Sequence, residues 1–402
     1  MTTTAEQMRA WRGPAILSFG FRPFFLGAAV WAALAMTLWV LALSGAYVLP
    51  TAFDPVSWHA HEFLFGYVSA VIAGFLLTAV PNWTGQLPIV GWPLGGLFAL
   101  WVTGRAVVLC SAGLPPVAVA AADLAMPVAL TGFLAREIIA GRNWRNLIVL
   151  VMLGTFTLAN AVFHWEAAQG AYAAEGYGLR TGLGATLMLI GLIGGRIVPS
   201  FTRNWLVRLG PGRLPVPPMQ RFDKIALLAL FIALCAWVAA PDMQATAATL
   251  LVAGGLHLAR LARWAGNRTR AEPLLWILHV GYLFLPLGAI TLAASILLPG
   301  LFGGAAALHL WMAGAAGTMT LAVMTRATLG HTGQALTAGK GTVGLYLSLL
   351  TAVLARLAAG LWPDHATLLH TLAALAWIAA FSGFALVFGP AILRRRVRDL
   401  AA

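Results

Sequence analysis

Apolar runs of about 20 residues follow one another along almost the whole chain. Of the 402 residues, 60% are hydrophobic and only 9% are charged, whereas a soluble domain carries about 25% charged residues. A helix of about 20 apolar residues crosses the hydrocarbon core of a bilayer. The chain therefore folds as a polytopic membrane protein almost throughout, and no stretch is polar enough to form a soluble domain of any size.

Apolar runs separated by turn and charge signals predict twelve transmembrane helices in an all-α fold. We interpret residues 1–402 as one transmembrane domain, although the loop at 207–221 is long enough to separate two six-helix halves. The predicted spans are 21–45, 56–80, 91–111, 114–139, 145–169, 177–201, 222–240, 243–265, 271–297, 302–328, 338–361 and 364–393.

The basic residues predict the orientation of these spans. Lysine and arginine collect in the cytoplasmic loops of membrane proteins. With twelve spans, all 25 basic residues except Arg105, Arg180 and Arg356 lie on one side, together with both termini. We therefore expect both termini to be cytoplasmic. In a soluble protein the net charge of +13 would suggest nucleic acid, but here it reflects membrane topology.

The predicted topology divides the nine histidines into two groups by depth. The outer group is His59, His61, His164, His309, His365 and His370, and the inner group is His257, His279 and His331. A lone histidine in a membrane span more often hydrogen-bonds a neighbouring helix than binds a metal. His257 and His279 lie at nearly equal depth on consecutive helices, however, and histidines on facing helices build cofactor sites in bundles. This pair therefore favours ligation.

The densest polar cluster is Trp58-His59-Ala60-His61-Glu62 at the start of the second span. Two residues along a helix turn a side chain by about 200°, so His59 and His61 face different neighbours. Glu62 shares a face with His59 and could orient an imidazole or carry protons. The alternative is a polar rim at a helix start, and Asp54 before Pro55 is interpreted as an N-cap.

Other polar residues inside spans need partners. We expect Arg105 and Asp123, on adjacent spans, to form an ion pair. Arg196 and Arg326 approach the inner surface, where arginine suits carboxylates such as haem propionates, and snorkelling to lipid phosphate is the alternative. The two cysteines, Cys110 and Cys235, are interpreted as buried apolar packing residues.

Six motifs together resemble the NnrS family over nearly the whole chain. They are GFRPFFL (20–26), WHAHEFLFG (58–66), AGFLLTAVPNWTG (73–85), GGRIVPSFT (194–202), PLLWILHVGY (273–282) and GTMTLAVMTRATLGHTG (317–333). The resemblance implies a twelve-helix, multi-pass protein of the bacterial inner membrane, associated with haem, copper and nitric oxide metabolism or nitrosative stress tolerance. The chain has no CxxCH attachment motif, so the haem b is expected to be non-covalent.

The resemblance also implies site residues. The histidines that match as metal ligands are His59, His61, His257, His279, His309 and His331, with Arg196 and Arg326 as further cofactor-binding residues. We expect an outer site from His59, His61 and His309, to which His164, a weaker match, could contribute. An inner site would draw on His257, His279 and His331. Phe63 departs from the family motif, which has methionine there.

The leading hypothesis is a haem- and copper-binding protein that performs redox chemistry on nitric oxide at a haem. Its expected partners are membrane lipid and nitric oxide or a related small molecule, and the electron donor is not assigned. One alternative is a transporter of a small solute or a metal, with the buried polar residues as its path. Another is a sensor that binds nitric oxide without turnover.

Overall fold

A computed structural model describes residues 11–85, 88–300 and 303–394 of the chain. Within these residues the regular structure is helical throughout, and twelve helices are long and apolar enough to cross a membrane. In chain order, α1 to α12 are Phe21–Leu43, Pro55–Thr84, Trp92–Leu109, Pro116–Ala140, Trp144–Ala168, Tyr177–Leu209, Arg221–Ala239, Gln244–Ala262, Pro273–Leu297, Gly304–Thr332, Lys340–Leu361 and Pro363–Leu393. The predicted all-α, twelve-span membrane protein is confirmed.

The predicted spans coincide closely with these helices, and the largest difference is at the end of α6. The helix continues to Leu209 instead of ending at residue 201. Its last turns, Arg203 to Leu209, mix arginine and asparagine with apolar residues, so a search for apolar runs stops too early. An α-helix does not require a uniformly apolar surface once it leaves the hydrocarbon layer, because its backbone hydrogen bonds are internal.

Three of the twelve helices contain a π-helical segment. These segments are Glu62–Val68 in α2, Ile190–Gly194 in α6 and Leu310–Gly317 in α10. The same three helices are the most buried, because 83%, 67% and 67% of their most apolar stretches are enclosed by protein, against 33–50% in the other nine. A π-segment inside an α-helix is rare and frequently marks a functional site. In chain order, the three buried helices α2, α6 and α10 are each four helices apart.

The chain groups into two compact units. The first comprises Met1–Gly182, Ala327–Ala335 and Phe381–Ala402, and the second comprises Leu183–Arg326 and Leu336–Ala380. In the first unit α1 packs on α2, α3 on α4, and α4 on both α2 and α5. In the second unit α9 packs on α8 and on the π-segment of α10. The expectation of one transmembrane domain over residues 1–402 stays a prediction.

The interpretation of the two cysteines as buried packing residues is wrong. Cys110, just after α3, and Cys235, within α7, are both exposed on the protein surface. In a membrane protein the outward face of a helix is as apolar as its inward face. Apolar surroundings in the sequence therefore do not distinguish a packed cysteine from one that faces lipid.

Candidate metal centre

The start of α2 positions the most polar stretch of the first unit. Asp54 is the N-cap, as expected, and its Oδ1 accepts hydrogen bonds from the backbone N–H groups of Val56 and Ser57 at 3.0 and 2.9 Å. Pro55 occupies the first helical turn, where its missing N–H is not needed. The cap therefore sets where α2 begins and places His61 about two turns inside it.

A buried ion network surrounds His61. Its Nδ1 lies 2.9 Å from Glu62 Oε1. That carboxylate oxygen also accepts a hydrogen bond from Arg105 Nη1 at 2.6 Å, and Arg105 Nη2 pairs with Asp123 Oδ1. The ion pair predicted between Arg105 and Asp123 is thereby confirmed, and it extends to Glu62. One guanidinium on α3 joins carboxylates on α2 and α4.

Helix α5 completes the cluster with Asn160 and His164. Asp123 Oδ2 accepts a hydrogen bond from Asn160 Nδ2 at 2.7 Å and lies 3.0 Å from His164 Nε2. His61 Nε2 lies 3.2 Å from the same oxygen and 3.0 Å from Asn160 Oδ1. Ligand atoms of His61, Asp123 and His164 all lie within 4.8 Å of one another. Three potential metal ligands from three helices therefore converge on one point.

Aromatic side chains close this cluster off from its surroundings. The ring of Phe53 lies 5.3 Å from that of His61 and 5.5 Å from that of His164. Phe65 and Phe163 contact His61 from other directions, at 5.4 and 5.3 Å. His61 has no exposed surface and His164 is 5% exposed. In so apolar an enclosure, charges interact more strongly than in water and an unpaired one is costly.

The hydrogen-bond geometry around His61 calls for one more proton or a cation in the cluster. Its Nδ1 faces a carboxylate oxygen of Glu62, and its Nε2 faces oxygens of Asp123 and Asn160. A neutral imidazole carries one N–H and one lone pair, so one of its nitrogens would point a lone pair at oxygen. Exchanging the amide nitrogen and oxygen of Asn160 would give His61 Nε2 a donor, but it would place the amide oxygen against the Asp123 carboxylate. An additional proton, on His61 or on one of the two carboxylates, removes this conflict, and so does a metal ion at Nε2.

Two glycines make room for the network. A Cβ at Gly66 would lie 2.7 Å from Arg105 Nη1 and 2.9 Å from Glu62 Oε2. A Cβ at Gly104 would lie 3.0 Å from Asp123 Oδ1. Contacts this short force neighbouring atoms to move. Glycine at these positions lets α2, α3 and α4 approach closely enough for their side chains to meet.

His59 points to a different neighbour, as its spacing from His61 predicted. Its ring stacks on Trp39 of α1 at a centroid distance of 4.5 Å and contacts Phe63 at 4.7 Å. Glu62 was placed on the face of His59, but in the structure its carboxylate bonds to His61 and Arg105. The structure therefore brings His61 together with His164 and Asp123, while His59 lies in an aromatic stack.

The chain was compared with known proteins. The family model described as NnrS protein matches residues 15–396. The chain belongs to the NnrS family. No match to a curated protein was found. The family resemblance of the six motifs is thus confirmed over nearly the whole chain, and the cluster around His61 lies within the part of the chain that the NnrS model matches.

In the second unit of this NnrS-family chain, His257 belongs to a hydrogen-bonded chain. Arg260 pairs through Nε with Asp223 Oδ1 at 2.8 Å, and its Nη1 donates to Gly191 O and to the Tyr282 hydroxyl, both at 2.8 Å. The same hydroxyl lies 2.8 Å from His257 Nδ1.

His257 Nε2 lies 3.1 Å from Ala226 O, which can only accept, so Nε2 carries the proton and donates it. Nδ1 of the neutral ring is then an acceptor, and the Tyr282 hydroxyl donates to it. Both ring nitrogens of His257 are therefore engaged with protein, as expected of a histidine that joins helices. A metal at His257 would have to break one of these bonds. Its predicted role as a metal ligand stays a prediction.

The other predicted site residues lie in separate surroundings. His279 Nε2 lies 2.9 Å from the Thr202 hydroxyl, and His309 Nδ1 lies 2.7 Å from Ala305 O, one turn earlier. The His331 ring contacts Phe19 at 4.9 Å and Phe21, of the GFRPFFL motif, at 5.6 Å. Each of the three imidazoles thus has its own partners.

The two arginines predicted to bind a cofactor are both half-buried. Arg326 lies over the ring of Phe201 at 4.2 Å, and Arg196 lies on α6 directly after the π-segment. A guanidinium stacked on an aromatic face keeps its N–H edges available for a carboxylate or a phosphate. Arg326 can therefore bind either a haem propionate or a lipid phosphate.

Asp123 and Asn160 were not predicted as members of a metal site. Asp123 was recognised only as the partner of Arg105, and Asn160 gave no signal. The spacing of Asn160 and His164, four residues apart on α5, could have drawn attention to them, because residues at i and i+4 share a helix face. Asp123, an acidic residue on the preceding span, was a second signal in the sequence.

Proposed function

We propose that this NnrS-family membrane protein binds one copper ion between His61, Asp123 and His164, as part of a haem- and copper-dependent handling of nitric oxide in a bacterial inner membrane. The observation that carries the proposal is the convergence of these three ligands around a position that needs positive charge. Family membership supports the connection with nitric oxide.

The residues at this position fit a copper ion. Two imidazole nitrogens and one carboxylate oxygen are suitable ligands for copper. His61 Nδ1 donates to Glu62, and such an outer carboxylate fixes the tautomer and orientation of a metal-binding histidine. Arg105 neutralises one of the two carboxylates that it bonds, which leaves one buried negative charge for a copper ion to balance. A bound copper ion would supply one-electron redox chemistry.

The same position does not fit a haem. Ligand atoms within 4.8 Å of one another surround a single ion, and Phe53, Phe65 and Phe163 fill the neighbouring space. A haem b would therefore be held elsewhere. The half-buried His59, His309 and His331 are the axial-ligand candidates we propose. Arg196 and Arg326 are proposed separately, as residues that could bind a carboxylate such as a haem propionate.

Metal analysis of the purified protein tests the copper site. We expect about one copper ion per chain in protein from copper-replete cells, and its loss in His61→Ala and in His164→Ala. The matched control is His365→Ala, because His365 is exposed and remote from the cluster in sequence. Retention of copper by both His61→Ala and His164→Ala would show that the site is elsewhere.

Optical spectra test the haem assignments separately. Single substitutions to alanine at His59, His257, His279, His309 and His331 are each read by haem content and by the haem spectrum. Loss of haem in one or two variants, with copper retained, would identify its ligands. A colourless preparation from haem-replete cells would remove haem from the proposal while leaving the copper test unaffected.

The type of activity is tested with a nitric oxide electrode and an added reductant. Consumption of nitric oxide by wild type that is lost in His61→Ala supports redox chemistry. Spectral shifts on nitric oxide addition without consumption would instead support a sensor. Solute flux into liposomes that survives haem removal would support a transporter.

A further inference from the structure

A second polar site lies in the other unit, in a cleft of about 420 Å³ beside His279. Leu261, Val280 and Leu283 form apolar walls, and Arg213 and Asn267 lie at the exposed rim. We call this the His279 cleft. Arg213 and Asn267 belong to the segments before α7 and after α8, whereas His279 lies about two turns inside α9, so the cleft leads from a membrane surface towards a buried imidazole.

The protonation of His279 follows from Thr202. The Thr202 hydroxyl has no exposed surface, and within the described residues His279 Nε2, at 2.9 Å, is the only hydrogen-bond partner it has. If Nε2 carried the proton, the threonine proton would be buried without an acceptor. A hydroxyl that donates to Nε2 avoids this cost. A neutral His279 then carries its proton on Nδ1.

The Nδ1–H of His279 is a buried donor that needs an acceptor. His279 is 8% exposed, and Nδ1 has no hydrogen-bond partner among the described residues. Buried donors in proteins are almost always satisfied. Gly266 leaves space at this atom, because a Cβ there would lie 2.6 Å from Nδ1. The structure thus presents a donor beside a cleft in which a ligand could accept its hydrogen bond.

The charges around the cleft select an anion. Arg213 donates one N–H to Ala262 O at 2.7 Å and retains others, and Arg268 Nη1 donates to Arg213 O at 2.7 Å, which adds a second positive charge nearby. Among the described residues that line the cleft there is no carboxylate. A guanidinium, an amide and an imidazole N–H are together suited to a small oxyanion.

We propose that the His279 cleft binds a small oxyanion, either a free ion or the phosphate of a lipid headgroup, through His279 Nδ1–H, Arg213 and Asn267. This proposal does not rest on the copper site around His61, which lies in the other unit. It differs from the prediction that His279 is a metal ligand, because a metal would need the Nδ1 lone pair that the proton occupies.

Equilibrium dialysis of the full-length protein in detergent with ³²P-labelled inorganic phosphate tests this. We expect one bound phosphate per chain and an affinity at least about tenfold weaker in Arg213→Gln and in His279→Gln, since each variant removes a donor to an anion. Gly266→Ala should weaken binding similarly, because its Cβ covers Nδ1 while the backbone at Gly266 tolerates alanine. The matched control, Arg145→Gln, removes an exposed arginine outside the cleft and should bind as wild type does.

Two further measurements complete the test. Phosphate binding in nanodiscs of phosphatidylglycerol, compared with phosphatidylcholine, distinguishes the sources: competition by phosphatidylglycerol identifies a headgroup site, and equal binding identifies a site for a free ion. Unchanged phosphate affinity in Arg213→Gln and Gly266→Ala would overturn the proposal, even if His279→Gln fails to fold. Copper bound by wild type and lost in His279→Gln, without phosphate binding, would overturn it in favour of a metal site.

Discussion

At the scale of single residues, the two units each hold a buried arginine that joins several helices. In the first unit Arg105 bonds to Glu62 and Asp123. In the second, Arg260 bonds to Asp223, Gly191 and Tyr282 and has no exposed surface. Buried charges are tolerated when they are paired with opposite charges and hydrogen-bonded. Each network should therefore be sensitive to removal of one partner and less sensitive to removal of both.

The first prediction concerns Asp123→Asn. This change keeps the shape of the side chain but removes the charge that Arg105, His61 and His164 share. We expect loss of bound copper and a free energy of unfolding lower by about 3–5 kcal/mol, the usual cost of leaving a buried charge without its partner. Copper analysis and denaturant titration measure the two effects. Asp242→Asn, at an exposed loop residue, serves as control, and equal copper content in both variants would contradict the prediction.

The second prediction is a double-mutant cycle on Arg260 and Asp223. Arg260→Met alone leaves the Asp223 carboxylate buried with fewer donors and should cost about 3–5 kcal/mol. Adding Asp223→Leu removes that charge, so the double variant should be more stable than the sum of the two single changes implies, by at least about 1 kcal/mol. Unfolding free energies of the four proteins give this coupling, and additive effects would refute a coupled ion pair.

At the scale of helices, two of the three π-segments, those of α2 and α6, coincide with close contacts around polar networks. The segment of α2 begins at Glu62 and includes Gly66, which leaves room for Arg105. The segment of α6 contains Gly191, whose carbonyl accepts a hydrogen bond from Arg260. A wider turn frees backbone carbonyls from the i→i−4 pattern and offers them to side chains. In each unit, a helix with a π-segment also carries a glycine packed against the buried arginine: Gly66 against Arg105 and Gly195 against Arg260.

The third prediction concerns Gly195, directly after the π-segment of α6. A Cβ here would lie 2.1 Å from Arg260 Nη2, so Gly195→Ala should displace the guanidinium and destabilise the protein by about 1–3 kcal/mol. Gly154→Ala is the matched control, because a Cβ at this helical glycine meets nothing within 4 Å and should be close to neutral. Thermal unfolding of both variants measures the difference, and similar midpoints would show that close approach at Gly195 is not required.

At the scale of the whole molecule, twelve spans return the chain to the side of the membrane on which it starts. The distribution of the basic residues predicts that this side is the cytoplasm, and family membership supports a multi-pass membrane protein. With that orientation, the first turn of α5, which contains Arg145, is predicted to lie on the cytoplasmic side. The loop between α7 and α8, which contains Asp242, then lies on the other side.

The fourth prediction tests this topology by cysteine labelling. Both native cysteines, Cys110 and Cys235, are exposed and are first replaced by alanine. In intact cells whose outer membrane has been made permeable, a membrane-impermeant maleimide should label Asp242→Cys and leave Arg145→Cys unlabelled. Disruption of the inner membrane should make both reactive. Labelling of Arg145→Cys in intact cells would reverse the orientation.

The sequence by itself determined the class, the number of spans, nearly all their boundaries and the family. A bilayer requires each segment to be apolar over a fixed length, and that property is local, so it can be read one segment at a time. The N-cap at Asp54, the ion pair of Arg105 with Asp123 and the separate directions of His59 and His61 were likewise predictable, because each depends on neighbours in sequence or on adjacent spans.

Only the tertiary structure decided which polar residues meet. In the structure, His61 meets His164 and Asn160 rather than His59, and the Glu62 carboxylate bonds to His61. Both ring nitrogens of His257 have hydrogen-bond partners. Cys110 and Cys235 lie on the surface. These outcomes depend on how each helix is rotated about its axis. In a membrane protein apolar periodicity does not specify that rotation, because lipid-facing and protein-facing surfaces are equally apolar, and π-segments shift the register further.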